Sequence, residues 1–145
     1  MKYLKEFNES NILDIDIIND ILLDVSDEGY ESKVRSTNVK TGGIFSKQIE
    51  IEIFNREKEN FYEDVIETVE RLKDYIESEN YILAFIEANL THKKYFTTKI
   101  ENFKGSRMMS NCLKYFKSFQ RFNSLYEING IILVFITPER FTYIQ

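Results

Sequence analysis

Between Gln48 and Asn55 isoleucine and glutamate alternate without a break, with Ile49, Ile51 and Ile53 on one side and Glu50 and Glu52 on the other. Side chains of a strand point alternately to its two faces, so this stretch folds as a strand with one buried face and one wet face. The apolar face of such a strand must be covered by another layer. The next segment supplies a cover. Phe61, Val65, Val69, Leu72 and Ile76, broadened by Ile66, recur at helical spacing with acids and bases between them. The spacing predicts a helix, with Asn60 as its N-cap and Glu63 three residues later in the position of a capping box.

The same two periods organise the rest of the chain. Asn11 to Val25 reads as a first helix in which Ile15, Ile18, Ile21, Leu22 and Val25 form the stripe, Ser10 or Asn11 the N-cap, and Gly29 the stop. Leu13 to Ile17 also alternates as a strand would, and length decides for the helix. Tyr30 to Ser36 suits an exposed strand, joined through Thr41-Gly42-Gly43 to the isoleucine–glutamate strand. Tyr81 to Ala88 reads as a buried strand, Asn89 to Lys93 as a turn, and Lys94 to Phe103 as the strand after it. Ser106 to Phe122 fits a third helix with Met109, Cys112, Leu113, Phe116 and Phe119 along one side. Asn129-Gly130 is a tight-turn dipeptide, and Ile131 to Thr137 a last strand that Pro138 ends. The order α-β-β-α-β-β-α-β, with a largely antiparallel sheet packed by helices, defines a two-layer α+β domain. It spans residues 11–145, behind a separate N-terminal segment of residues 1–10.

Chemistry-bearing patterns are scarce. Cys112 and His92 are alone of their kinds, whereas a structural zinc site needs four ligands at short spacings and a disulfide needs a partner. Cys112 is expected in the core and His92 in a turn. Thr41-Gly42-Gly43 is too short for a phosphate-binding glycine loop. Glu50 and Glu52 share a strand face, but such a pair is ordinarily the wet side of a half-buried strand. Glu31-Ser32-Lys33 contains the glutamate-x-lysine element of certain metal-dependent nucleases without the aspartate on an adjoining strand that their chemistry needs. No catalytic, cofactor-binding or metal-binding residue is assigned, no small-molecule ligand is expected, and the expectation is a protein that is not an enzyme. The longest apolar run, Ile131 to Ile136, is too short to cross a bilayer, and no secretory leader is visible.

Charge is the feature left over. Residues 1–88 carry 21 acidic and 10 basic side chains, and residues 89–145 carry nine basic and three acidic ones. Such asymmetry suits two parts that fold together and neutralise each other locally, an acidic partner such as nucleic acid, or a protein partner or second copy whose acidic part meets the basic part of the first. The candidate basic face is Lys93, Lys94, Arg107, Lys114, Lys117 and Arg121; the candidate acidic face is Asp14, Asp16, Asp20 and Asp24. Aromatic residues interleave with the bases between Lys93 and Phe122. Exposed rings beside lysine and arginine are how single-stranded nucleic acid is held. Helical phasing assigns Phe116 and Phe119 to the core and leaves Tyr95 and Tyr115 as candidates to stack.

The opening Met1-Lys2-Tyr3-Leu4-Lys5-Glu6-Phe7-Asn8-Glu9-Ser10 resembles the short capsid-targeting leader of tailed-bacteriophage internal head proteins, and Leu4-Lys5-Glu6 is similar to the pattern cut by phage head-maturation proteases. The resemblance implies a virion-associated structural or accessory protein of the host cytoplasm or the particle, not a secreted one. Tyr3, Leu4 and Phe7 form a sticky side able to dock on the domain or on a partner. Its partners would be other copies of itself or another phage protein, without a membrane. Nucleic acid bound by residues 93–121 is the alternative. A further one is inhibition of a host enzyme by an acidic surface that mimics nucleic acid.

Overall fold

The computed structural model describes residues 13–41, 43–55, 60–104 and 111–137. Its elements follow in the expected order: α1 (Ile15–Asp27), β1 (Glu31–Thr41), β2 (Ile44–Phe54), α2 (Phe61–Ser78), β3 (Ile82–His92), β4 (Thr98–Lys104), α3 (Cys112–Phe122) and β5 (Tyr126–Ile136). The strands form one sheet in the order β1-β2-β5-β3-β4, antiparallel at every junction. The last strand in sequence therefore lies in the middle, with Leu133 opposite both Ile51 and Ile86. Its composition suits the centre, since five of its last six residues are buried.

One face of the sheet carries Ile49, Ile51 and Ile53 from β2, Leu83, Ile86, Ala88 and Leu90 from β3, and Ile131, Leu133 and Phe135 from β5. All three helices set their apolar stripes on that face. The stripe of α2 is the one expected: Phe61, Val65, Val69, Leu72 and Ile76 are buried. The opposite face holds a smaller apolar cluster around Ala84, Val134 and Ile136. Beside that cluster Glu50 and Glu52 stand opposite Arg35 and Lys33 of β1. Arg35 approaches Glu50 at 3.5 Å, so the paired carboxylates serve the wet face of the sheet.

Four local expectations are corrected. The N-cap of α1 is Asp14, whose carboxylate accepts the Asp16 N–H at 2.9 Å; Ser10 and Asn11 lie outside the described residues. Asn60 does occupy the N-cap position of α2 but makes no side-chain capping bond. That helix is anchored instead by Phe61, buried and edge-on to Tyr30 at 5.4 Å, and by the Tyr30 hydroxyl, which donates to Asp64 at 2.6 Å. Burial first, and the Asp64 carboxylate second, push the Tyr30 phenol well above its ordinary pKa, so the donor is retained at any physiological pH.

Asn129-Gly130 is not a turn. β5 runs straight through it, and the register against β3 shifts by one residue there, with Asn89 opposite Gly130 but Leu90 opposite Ile128. An extra residue on one strand is a β-bulge, and the glycine is required by proximity, because a Cβ at position 130 would sit 3.0 Å from that of Phe54. The connection expected at residues 89–93 also falls later. β3 continues to His92, and the turn is formed by residues 93–97.

Candidate functional site

The turn between β3 and β4 contains neither glycine nor proline, and its geometry is held by His92. The imidazole Nδ1 accepts the backbone N–H groups of Lys94 and Tyr95, each at 3.1 Å. His92 is thus the end of a strand and the organiser of a turn. Its carbonyl accepts the Phe96 N–H at 2.9 Å. Phe96 itself adopts a left-handed conformation with φ of 58°, which is uncommon for a residue with a bulky side chain. The result is that its ring points away from the core.

Around this turn the aromatic rings form a ladder. His92 lies 4.9 Å from Tyr95 and 5.0 Å from Tyr126, centroid to centroid. Lys94 sits over the Tyr95 ring and Lys99 over the Tyr126 ring, at 5.4 and 4.5 Å. The C-terminal end of α3 reaches the same place, because the Lys93 N–H donates to the Leu125 carbonyl at 2.8 Å. There Arg121 lies over the Phe122 ring at 5.4 Å. Tyr95, Phe96, Phe122 and Leu125 are 66, 77, 79 and 58% exposed. Four large apolar side chains exposed to that degree around one turn and the adjoining helix end make this the candidate interaction surface of the domain.

The sequence-derived basic face is partly assembled. Lys114, Lys117 and Arg121 share one side of α3, and Lys93 and Lys94 join the end of that helix through the turn. Arg107 lies outside the described residues, as does the expected docking segment with Tyr3, Leu4 and Phe7. On α1, Asp16, Asp20 and Asp24 follow one another at four-residue spacing and are exposed. Asp14 is set apart from them by its capping bond. Between the two faces stands α2, which touches α1 on one side and the β3–β5 part of the sheet below. Its Arg71 pairs with Asp24 of α1, and its Glu70 pairs with Lys117 of α3 at 2.7 Å.

Tyr95 and Tyr115, the two residues expected to stack, are exposed, and Phe116 and Phe119, assigned to the core, pack inward against Phe103. The sequence places Phe96 and Phe122 among the aromatics interleaved with the bases without singling them out to stack, and gives no sign of Leu125. Phe122 follows Arg121 at the last turn of a helix, where continued helical phasing would have flagged it as off the buried stripe. No pattern in the sequence announces the backbone conformation of Phe96. Cys112 is fully buried, as expected of an isolated thiol, with its Sγ 3.4 Å from the Leu83 carbonyl. Among the described residues no group of three or more His, Cys, Asp or Glu side chains comes together to hold a metal ion, and no helix is long and apolar enough to cross a membrane.

No protein-family model, curated protein or solved structure matches this chain.

Proposed function

We propose that this protein is a binding domain for single-stranded nucleic acid, with bases stacking on Tyr95, Phe96 and Phe122 and phosphates held by Lys93, Lys94, Lys99 and Arg121. The observation that carries the reading is the exposure of those three rings, 66 to 79%, at one end of the domain and among cations. Stacking accepts any base because every base has a π face, and the lysines and arginine supply the sequence-independent attraction. Four phosphate contacts set the expected salt dependence. For single strands log K falls by about 0.7 per contact for each tenfold rise in salt, so the slope should be near −3. Fluorescence anisotropy of a labelled oligothymidine short enough to engage only these four cations, titrated between low and moderate salt, reads that slope. A flat salt response, or equal affinity for duplex DNA whose bases are locked in their stack, would overturn the reading.

A second reading rests on a different observation. Acidic α1 and basic α3 lie on either side of α2, so the two charged faces are separated on the surface of one molecule. A contact between the acidic face of one copy and the basic face of the next is head-to-tail, and closes into a ring or runs on as a filament. This is the contact that a virion-associated accessory role would use. Size-exclusion chromatography with light scattering should then show an oligomer at low salt that dissociates at high salt, and that is lost on charge reversal at Lys114 and Lys117. A monomer at both salts removes this reading and leaves the first untouched.

A further inference from the structure

Between α2 and α3 runs a groove of about 460 Å³ whose walls carry Lys73 from α2 and Lys114, Lys117 and Arg121 from α3, with no acid among its lining residues. Two of these cations are braced from behind by α2: Lys73 by Glu77 and Lys117 by Glu70, each at 2.7 Å. The other two, Lys114 and Arg121, make no ion pair with any described residue. Asn111, Leu113 and Ser118 complete the lining. The groove therefore offers two fixed cations and two unneutralised ones in a concave track. Arg121 belongs both to this groove and to the aromatic end of the domain, where it lies over Phe122. The two surfaces thus share a residue and meet at the C-terminal end of α3.

We infer that the groove is the continuation of the nucleic-acid site: the strand whose bases stack on Tyr95, Phe96 and Phe122 passes Arg121 and lays its next phosphates along Lys117, Lys114 and Lys73. The inference rests on the nucleic-acid reading above and adds its direction and length. From Lys114 to Arg121 the helix rises about 10 Å at 1.5 Å per residue. That is the length of about three nucleotides at the ~3.4 Å rise of a stacked strand. With about three bases on the rings, the full site covers about six nucleotides, within the range of about 4–16 seen for single-strand sites in small domains. The groove supplies charge without an aromatic wall, so it grips the backbone and leaves the bases unread.

Oligothymidines of 4 and 12 nucleotides, labelled at one end, separate the two surfaces. The shorter strand is filled by the aromatic end, while the longer one also enters the groove. A longer strand also gains affinity merely from the number of registers it offers, but that factor differs by less than about twofold between a six- and a three-nucleotide site and cannot produce a tenfold loss. The test compares the native protein with the double variant Lys73→Glu, Lys114→Glu, which leaves Arg121 and the rings in place. The expected result is that the variant binds the 12-mer about tenfold more weakly, with a salt slope smaller by about 1.4, and binds the 4-mer as the native protein does. An unchanged 12-mer affinity, or an equal loss for both lengths, overturns the groove and leaves the aromatic site standing. Failure of the native protein to bind either strand overturns both. Circular dichroism of the variant, unchanged from native, excludes loss of fold as the cause.

Discussion

Replacing Phe96 and Phe122 together with alanine is expected to weaken binding of every oligothymidine, short or long, by at least about tenfold. A base stacked on an aromatic side chain contributes about 1–3 kcal/mol by alanine substitution, and about 1.4 kcal/mol is a factor of ten in affinity. Both rings are more than three-quarters exposed, so their removal takes almost no buried surface from the fold. That makes the pair unusually informative. An unfolding midpoint within error of native, together with lost affinity, ties the rings to the ligand. Truncating Phe96 alone should likewise leave stability near native, because the ring is exposed in the folded and the unfolded chain alike and the positive φ is strained for phenylalanine and alanine equally. The salt slope should stay as in the native protein, since no phosphate contact is removed. Native affinity in the double variant would show that the rings serve something other than a nucleic-acid strand.

Much of this fold is legible in the sequence because single elements announce themselves through their periods. The isoleucine–glutamate alternation is β2 with its faces the expected way round, and the α2 stripe is buried at Phe61, Val65, Val69, Leu72 and Ile76, with Ile66 only partly so and Thr68 joining it. Relations between elements are less legible, because they depend on contacts far apart in the chain. Nothing local in β5 says that it inserts between β2 and β3. Asn129-Gly130 misleads for a related reason: the dipeptide satisfies a two-residue hairpin, but the closeness of Phe54 on the neighbouring strand asks for the same glycine in a bulge. The β3–β4 turn misleads in the opposite sense. Its sequence, Lys93-Lys94-Tyr95-Phe96-Thr97, contains no residue that favours a turn, and the reversal is held by an imidazole acceptor and by Phe96 at positive φ. The candidate site inherits this difficulty. Its charges are visible as a bias along the chain and Tyr95 as a candidate to stack, but Phe96 and Phe122 do not stand out from core phenylalanines until the backbone is known.

The cationic part of the site is carried largely by α3, whose buried residues are Cys112, Leu113 and Phe116, the last much the largest. Phe116 is fully buried and sits 5.6 Å from the Tyr62 ring of α2 and 5.4 Å from the Phe103 ring of β4. It therefore ties the helix to both of its neighbours. Phe119 lies one turn on, against Phe103 from the other side and only partly buried. Truncating a buried phenylalanine to alanine costs about 3–5 kcal/mol, the lost transfer of the ring plus the cavity it leaves. Against the ~5–15 kcal/mol that holds a domain of this size together, that is a large share. Phe116→Ala should accordingly shift the urea midpoint far down with little change in slope, whereas Phe119→Ala should cost distinctly less. The functional consequence follows from where α3 points. Its buried stripe and its cationic side are two faces of one helix, so a helix free to shift over an empty Phe116 pocket no longer holds Lys114, Lys117 and Arg121 against Lys73. The 12-mer should then lose affinity under conditions where the variant is still folded, while the 4-mer, held chiefly at the His92-braced turn, loses less. A midpoint within about 1 kcal/mol of native would show that Tyr62, Phe103 and Phe119 close over the cavity by themselves, and that the anchoring of α3 is spread over the cluster.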